Sequence, residues 1–132
     1  MNIKKALLFA IFCVTAWSSV LHAAGIAINT GATLTMTGAP SIALNGDWTN
    51  GGTFVAGSGT VTFNAGSGTQ TLTTGGTTSN VHTFANLTHS GAGILQMATN
   101  ALSATGTVTQ SGAGNFSTQG LGVTAGVLAV SA

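Results

Sequence analysis

Short runs in which apolar and polar residues alternate, each closed by glycine, recur along most of the chain, and no other property restricts its fold as much. In order they are Gly31-Ala-Thr-Leu-Thr-Met-Thr-Gly38, Gly38-Ala-Pro-Ser-Ile-Ala-Leu-Asn-Gly46, Gly52-Thr-Phe-Val-Ala-Gly57, Gly59-Thr-Val-Thr-Phe-Asn-Ala-Gly66 and Gly68-Thr-Gln-Thr-Leu-Thr-Thr-Gly75. After a less regular stretch come Ile94-Leu-Gln-Met97, Gly106-Thr-Val-Thr-Gln110, Leu121-Gly-Val123 and Val127-Leu-Ala-Val130. The apolar members sit two apart, as in Leu34/Met36, Ile42/Leu44, Val61/Phe63, Leu95/Met97 and Leu128/Val130. Residues two apart share one face of a strand, and β-branched Thr and Val between them fit a pleated, half-buried surface. Helical periodicity is absent beyond the first two dozen residues, and 20 glycines in 132 residues oppose helix formation.

Strands of this length and spacing allow a sandwich, a barrel or a solenoid. Composition separates them. Only 2% of the residues are charged, so the outward positions carry Thr, Ser, Asn and Gln instead of the Lys and Glu that normally protect sheet edges. Near-equivalent repeats without long loops suit stacked rungs that bury one continuous core. Asn and Thr at equivalent positions can then hydrogen-bond along the stack as ladders. The expectation is an all-β solenoid of about five short rungs of roughly 20 residues each, with a small sandwich as the alternative.

The N-terminus belongs to a different regime. Lys4 and Lys5 precede an apolar run from Ala6 to Trp17, and Ser18-Ser-Val-Leu-His-Ala-Ala24 follows before the Gly/Thr pattern begins. This reads as a helical secretory signal peptide over residues 1–24, cleaved after Ala23 or Ala24, with the solenoid domain over residues 25–132. The apolar run falls short of the ~20 residues that span a bilayer, so no membrane span is expected after cleavage. Cys13 lies inside the apolar run, and the bulky Ile11 and Phe12 before it argue against lipidation. The processed chain would then hold no Cys, Lys or Arg, and its one formal charge would be Asp47. The expected location is secreted or on the outer cell surface.

So little charge excludes most chemistry. Paired carboxylates for acid–base catalysis, a basic nucleic-acid face and an acidic metal cage are all out of reach. His82 and His89 lack carboxylate or thiol neighbours in sequence and read as loop or turn residues. Asp47, within Asn45-Gly46-Asp47, reads as a turn residue bonding its own backbone. Asn86-Leu-Thr88 and Asn115-Phe-Ser117 match the glycosylation sequon, which carries little weight behind a bacterial-type leader. No catalytic residue, cofactor or metal site is expected. Two ligand-facing candidates remain. Trp48 is a core or end-cap aromatic, or else a platform for a sugar ring. The Thr-x-Thr runs at Thr33/Thr35/Thr37, Thr60/Thr62, Thr69/Thr71/Thr73 and Thr105/Thr107/Thr109 could align into a flat, uncharged array like the ice-binding faces of antifreeze solenoids.

Gly46-Asp-Trp-Thr-Asn-Gly-Gly-Thr-Phe54, running on through Gly59-Thr-Val-Thr-Phe-Asn64, Thr69-Gln-Thr-Leu72 and Phe84-Ala-Asn-Leu-Thr88, resembles the repeat of bacterial surface β-helix proteins of the adhesin and autotransporter-passenger type, akin to filamentous haemagglutinin. The resemblance spans about residues 30–130 and implies a right-handed parallel β-helix, secretion and a structural or adhesive role. Departures are the short length, the lack of a translocating β-barrel, and the lack of a polar capping rung after Val127–Val130. The chain is then either a fragment or a unit whose bare end docks another copy. Gln110-Ser-Gly-Ala-Gly-Asn115, with Gln119 beyond, also resembles a repeat of the curlin amyloid subunits. Together these readings predict a secreted non-enzymatic structural or adhesive protein that self-associates through stacked rungs or binds an extracellular ligand, with an ice- or glycan-binding module as the alternative.

Overall fold

A computed structural model describes residues 13–14, 20–78 and 81–131. The chain winds into a parallel β-solenoid of about five turns. The first turn holds β1 (Cys13–Val14), β2 (Val20–Ala23) and β3 (Ile26–Ile28). The second holds β4 (Thr33–Met36), β5 (Ser41–Leu44) and β6 (Trp48–Asn50), and the third β7 (Thr53–Val55), β8 (Thr60–Phe63) and β9 (Thr69–Thr73). In the fourth, a bridge at Phe84 stands for the first side, followed by β10 (Asn86–His89) and β11 (Ile94–Met97). The fifth holds β12 (Leu102–Ser103), β13 (Thr107–Gln110) and β14 (Phe116–Ser117), and β15 (Val123–Thr124) and β16 (Val127–Val130) form two sides of the next.

The strands line three sides. One runs β2-β5-β8-β10-β13-β16 and a second β3-β6-β9-β11-β14. The third side is β1-β4-β7, continued by the Phe84–Ala104 bridge and β12-β15. Every strand pair is parallel, which sets aside the sandwich, an antiparallel architecture. The described residues contain no helix. Most of the expected leader lies outside the described residues. Its described parts, Cys13–Val14 and Val20–Ala23, are short strands paired with β4 and β5, and no leader helix is seen among the described residues.

The alternation read from the sequence fixes what lies inside. Along the longest sheet, Ile42, Val61, Leu87 and Val108 stack in register, each no more than 1% exposed. Burying an aliphatic side chain this fully contributes about 1.5–3 kcal/mol. Between the second sheet and the third side Trp48, Phe54 and Phe84 meet at ring-centroid separations of 4.8, 5.1 and 5.3 Å, with Trp48 and Phe54 edge to face. All three are enclosed, and tilted or edge-on contacts of this kind add to the area term.

With almost no charge to spend, amides and hydroxyls tie successive turns together. Gln70, 2% exposed, donates from Nε2 to Leu44 O (2.9 Å) and Gly46 O (2.7 Å) one turn back, while its Oε1 accepts from Ala65 N. Asn50 accepts from Gly52 N within its own corner and donates to Val81 O (3.1 Å) in the following turn. Asn86 Oδ1 accepts from Thr107 N (3.0 Å), and Thr74 Oγ1 donates to Ala101 O (2.9 Å). These satisfy backbone groups at corners where the sheet ladders are interrupted, groups whose burial without a partner would cost about 1–3 kcal/mol each. The expected Asn/Thr ladders therefore take a different form, side chain to backbone across turns.

Candidate functional site

The sequence-based candidates scatter over the three sides. Thr33 and Thr35 lie on β4, Thr60 and Thr62 on β8, and Thr69 and Thr71 on β9. They therefore do not share one face. What the register does align is a column on the longest sheet, where Thr62 lies beside Thr88 and Thr88 beside Thr109. Successive strands stand about 4.8 Å apart. The neighbouring column runs from Ser41 to Thr60 to Asn86, whose amide bonds Thr107 N. The result is an uncharged column of partly exposed hydroxyls and methyls, with Thr88 a member that the Thr-x-Thr pattern misses because Asn86 replaces its partner threonine.

Trp48 offers no platform. Its side chain is fully enclosed between Phe54 and Phe84, so a sugar ring has no indole face to stack on. Asp47 is exposed, and its Oδ1 accepts from Thr71 N at 2.7 Å in the next turn. The carboxylate joins two turns instead of closing its own. His82 lies at a corner with Nδ1 3.1 Å from Asn50 Nδ2. His89 is not a loop residue: it is 0% exposed and occupies an inward position of β10, between Phe63 and Gln110 in the stack. Its Nδ1 is 2.7 Å from Gln110 Oε1. Gln110 Nε2 donates to Gly112 O and Gly114 O, so Oε1 is left to accept and Nδ1 carries the proton. Among the described residues no three His, Cys, Asp or Glu side chains gather as a metal set would.

The second candidate surface is the last described turn. Leu128 continues the inward column Ile42–Val61–Leu87–Val108, and Val130 continues Leu44–Phe63–His89–Gln110. Val108, the inward residue one turn before Leu128, is enclosed, yet Leu128 and Val130 are 62 and 71% exposed, and Val127 on the outward side is 56% exposed. Beside them lies an open cleft of about 640 Å³ lined by Gln110, Gly114, Phe116, Val123, Leu128 and Val130. Its lining includes aliphatic and aromatic groups of the kind that earlier turns bury, with Gln110 among them. Among the described residues no strand pairs with the outer edge of β16, and an unpaired edge is a template for a further strand.

No protein-family model matches the chain, and neither curated proteins nor solved structures match it significantly.

Proposed function

We propose that this protein is an exported, non-enzymatic structural element of the cell surface or extracellular space, one that associates end on by stacking another turn on β16. The observation that carries the reading is the apolar last turn, where Leu128 and Val130 stand in the inward columns of the earlier turns and Val127 is exposed beside them. Covering two or three aliphatic side chains would contribute about 1.5–3 kcal/mol each, before the strand pairing itself. A nearly uncharged surface adds no electrostatic repulsion between copies. Stacking along the solenoid axis is a contact between unlike ends that advances by translation, so it does not close and builds filaments. The Gly-Asp-Trp-Thr-Asn resemblance to surface adhesin repeats supports the same reading and brings with it a right-handed coil, the hand favoured by parallel crossovers.

The chain freed of residues 1–24 is expected to form unbranched filaments visible by negative stain and to sediment with concentration. Leu128→Asp, which sets a charge in the cleft, is expected to hold it as a monomer with unchanged far-UV circular dichroism. A wild-type chain that stays monodisperse at high concentration overturns the reading.

The Thr62–Thr88–Thr109 column favours a second reading, a face that orders water against ice. Thermal hysteresis at millimolar protein is its expected sign, lost in Thr88→Lys, which leaves the core untouched. No hysteresis in the wild type ends it.

A further inference from the structure

We propose that β2 is a temporary cap, and that β16 of one copy takes its place on β5 of the next once the leader is removed. The inference rests on the end-on reading above and names its contact, its partner and its trigger.

β2 and β16 share one side of the solenoid, at its two extremes. β2 reads Val20-Leu-His-Ala23 and β16 reads Val127-Leu-Ala-Val130. Both pair through all four residues, β2 with Ser41–Leu44 and β16 with Thr107–Gln110. In these registers Val20 and Val127 occupy the same position of the turn, as do Leu21 and Leu128. The third position holds His22 in one and Ala129 in the other, and the fourth Ala23 and Val130. Leu21 lies beside Ile42 and Ala23 beside Leu44, members of the two inward columns that Leu128 and Val130 extend at the far end. A strand of β16 chemistry on β5 therefore keeps both columns running across the junction.

The sides also add up. The reading of residues 1–24 as a leader assigns β1 and β2 to the removed segment and leaves β3 behind. The last described turn has β15 and β16, while β14 of the turn before is the last strand of the β3-β6-β9-β11-β14 sheet. One copy's β15 and β16 with the next copy's β3 make a full three-sided turn. The partner is thus a second copy of this chain, and the occupant of its free edge is fixed by register. The leader segment, by holding β4 and β5 through β1 and β2, blocks that edge until it is cut.

Disulfide trapping tests the contact. His22 lies beside Ala43 in the register, so in the proposed junction Ala129 of one copy lies beside Ala43 of the next. Adjacent parallel strands place such residues within the Cα separation, about 4.4–6.8 Å, that a disulfide bridges. A full chain carrying Cys13→Ser, Ala43→Cys and Ala129→Cys, with a specific protease site inserted between Ala24 and Gly25, is purified and examined before and after cutting. Before cutting, a monomer is expected on a non-reducing gel. After cutting, most of the protein should shift to a reducible ladder of multimers. A companion with Ser131→Cys in place of Ala129→Cys, two residues out of register, should give no ladder while keeping the same far-UV spectrum. Filaments without a ladder overturn the β16-on-β5 junction but leave end-on association standing. A ladder of equal strength before cutting overturns the cap. A cut chain that neither scatters light nor cross-links overturns both the junction and the end-on reading it rests on.

Discussion

Trp48→Ala is expected to lower the unfolding free energy by about 3–5 kcal/mol, read as a fall in the urea midpoint. Domains of this size have about 5–15 kcal/mol in all, so the variant stands near the edge of folding. Trp48 is 0% exposed and holds Phe54 and Phe84 at 4.8 and 5.1 Å, so truncation opens a void between two turns that neither ring can fill without moving the other. Trp48→Phe should cost much less. It loses ring area but also removes an indole Nε1–H that has no hydrogen-bond partner among the described residues. A tryptophan that served as a sugar platform would behave differently, with binding lost and stability unchanged in both variants. Acrylamide quenching separates the two roles, because Trp48 emission from the chain freed of residues 1–24 should be blue-shifted and protected from quencher.

Gly91→Ala is the other large effect, expected at about 3 kcal/mol. The sequence Ser-Gly-Ala-Gly occurs at residues 90–93 and again at 111–114, at the corner leading from the first sheet to the second. A Cβ on Gly91 would run into the Ala65 carbonyl of the turn below and lie 2.9 Å from Ala65 N. On Gly93 it would lie 2.8 Å from Gly68 O, and on Gly112 it would meet the Gly91 carbonyl in turn. These are backbone atoms of the adjacent turn, so no rotamer change relieves the clash and the turns must separate. Gly66 belongs to the preceding corner, yet a Cβ there meets nothing within 4 Å. Gly66→Ala is therefore expected to be neutral or to stabilise by about 0.4–1 kcal/mol through the unfolded chain. The contrast between two corner glycines in one denaturation series tests whether stacking distance, rather than glycine content, limits this fold. Equal effects at both would show that it does not.

Much of this architecture was legible before any coordinates. Leu34/Met36, Ile42/Leu44, Val61/Phe63 and Leu95/Met97 all fall within strands at the spacing their alternation implies, because period two directly encodes which side of a strand is wet. Where polar residues took inward positions, apolarity failed as a guide. His89 follows Leu87 at the right interval but reads as a loop residue because imidazole is rarely enclosed, and only its register with Gln110 gives it a partner. Gln70 stands two before Leu72 in the same way, and the groups it satisfies lie a whole turn away. Asp47 misled for the same reason, its acceptor role being to Thr71 N in another turn. Thr-x-Thr runs marked outward positions correctly, but which runs share a side depends on where the chain bends, and no pairwise motif records that. Trp48 could be read either way, since an aromatic beside a turn is equally at home in a core or on a rim.

The constancy of the register also governs how such a chain can change in length. Leu87 lies beside Val108 and Leu95 beside Phe116, each pair 21 residues apart, and Thr107 lies beside Val127 after 20. Within a side, adding or removing a single residue would turn every following side chain on that strand inside out. Growth in small steps is therefore barred along the sides, and whole-turn duplication is the increment that leaves all columns intact. The corner after β9 is the largest departure, since Val61 and Leu87 lie beside each other across 26 residues. Its surplus is absorbed before Phe84, outside the three sides, and held by Asn50 and Thr74. That corner is the place where a foreign peptide or tag can be carried outward without disturbing the stack.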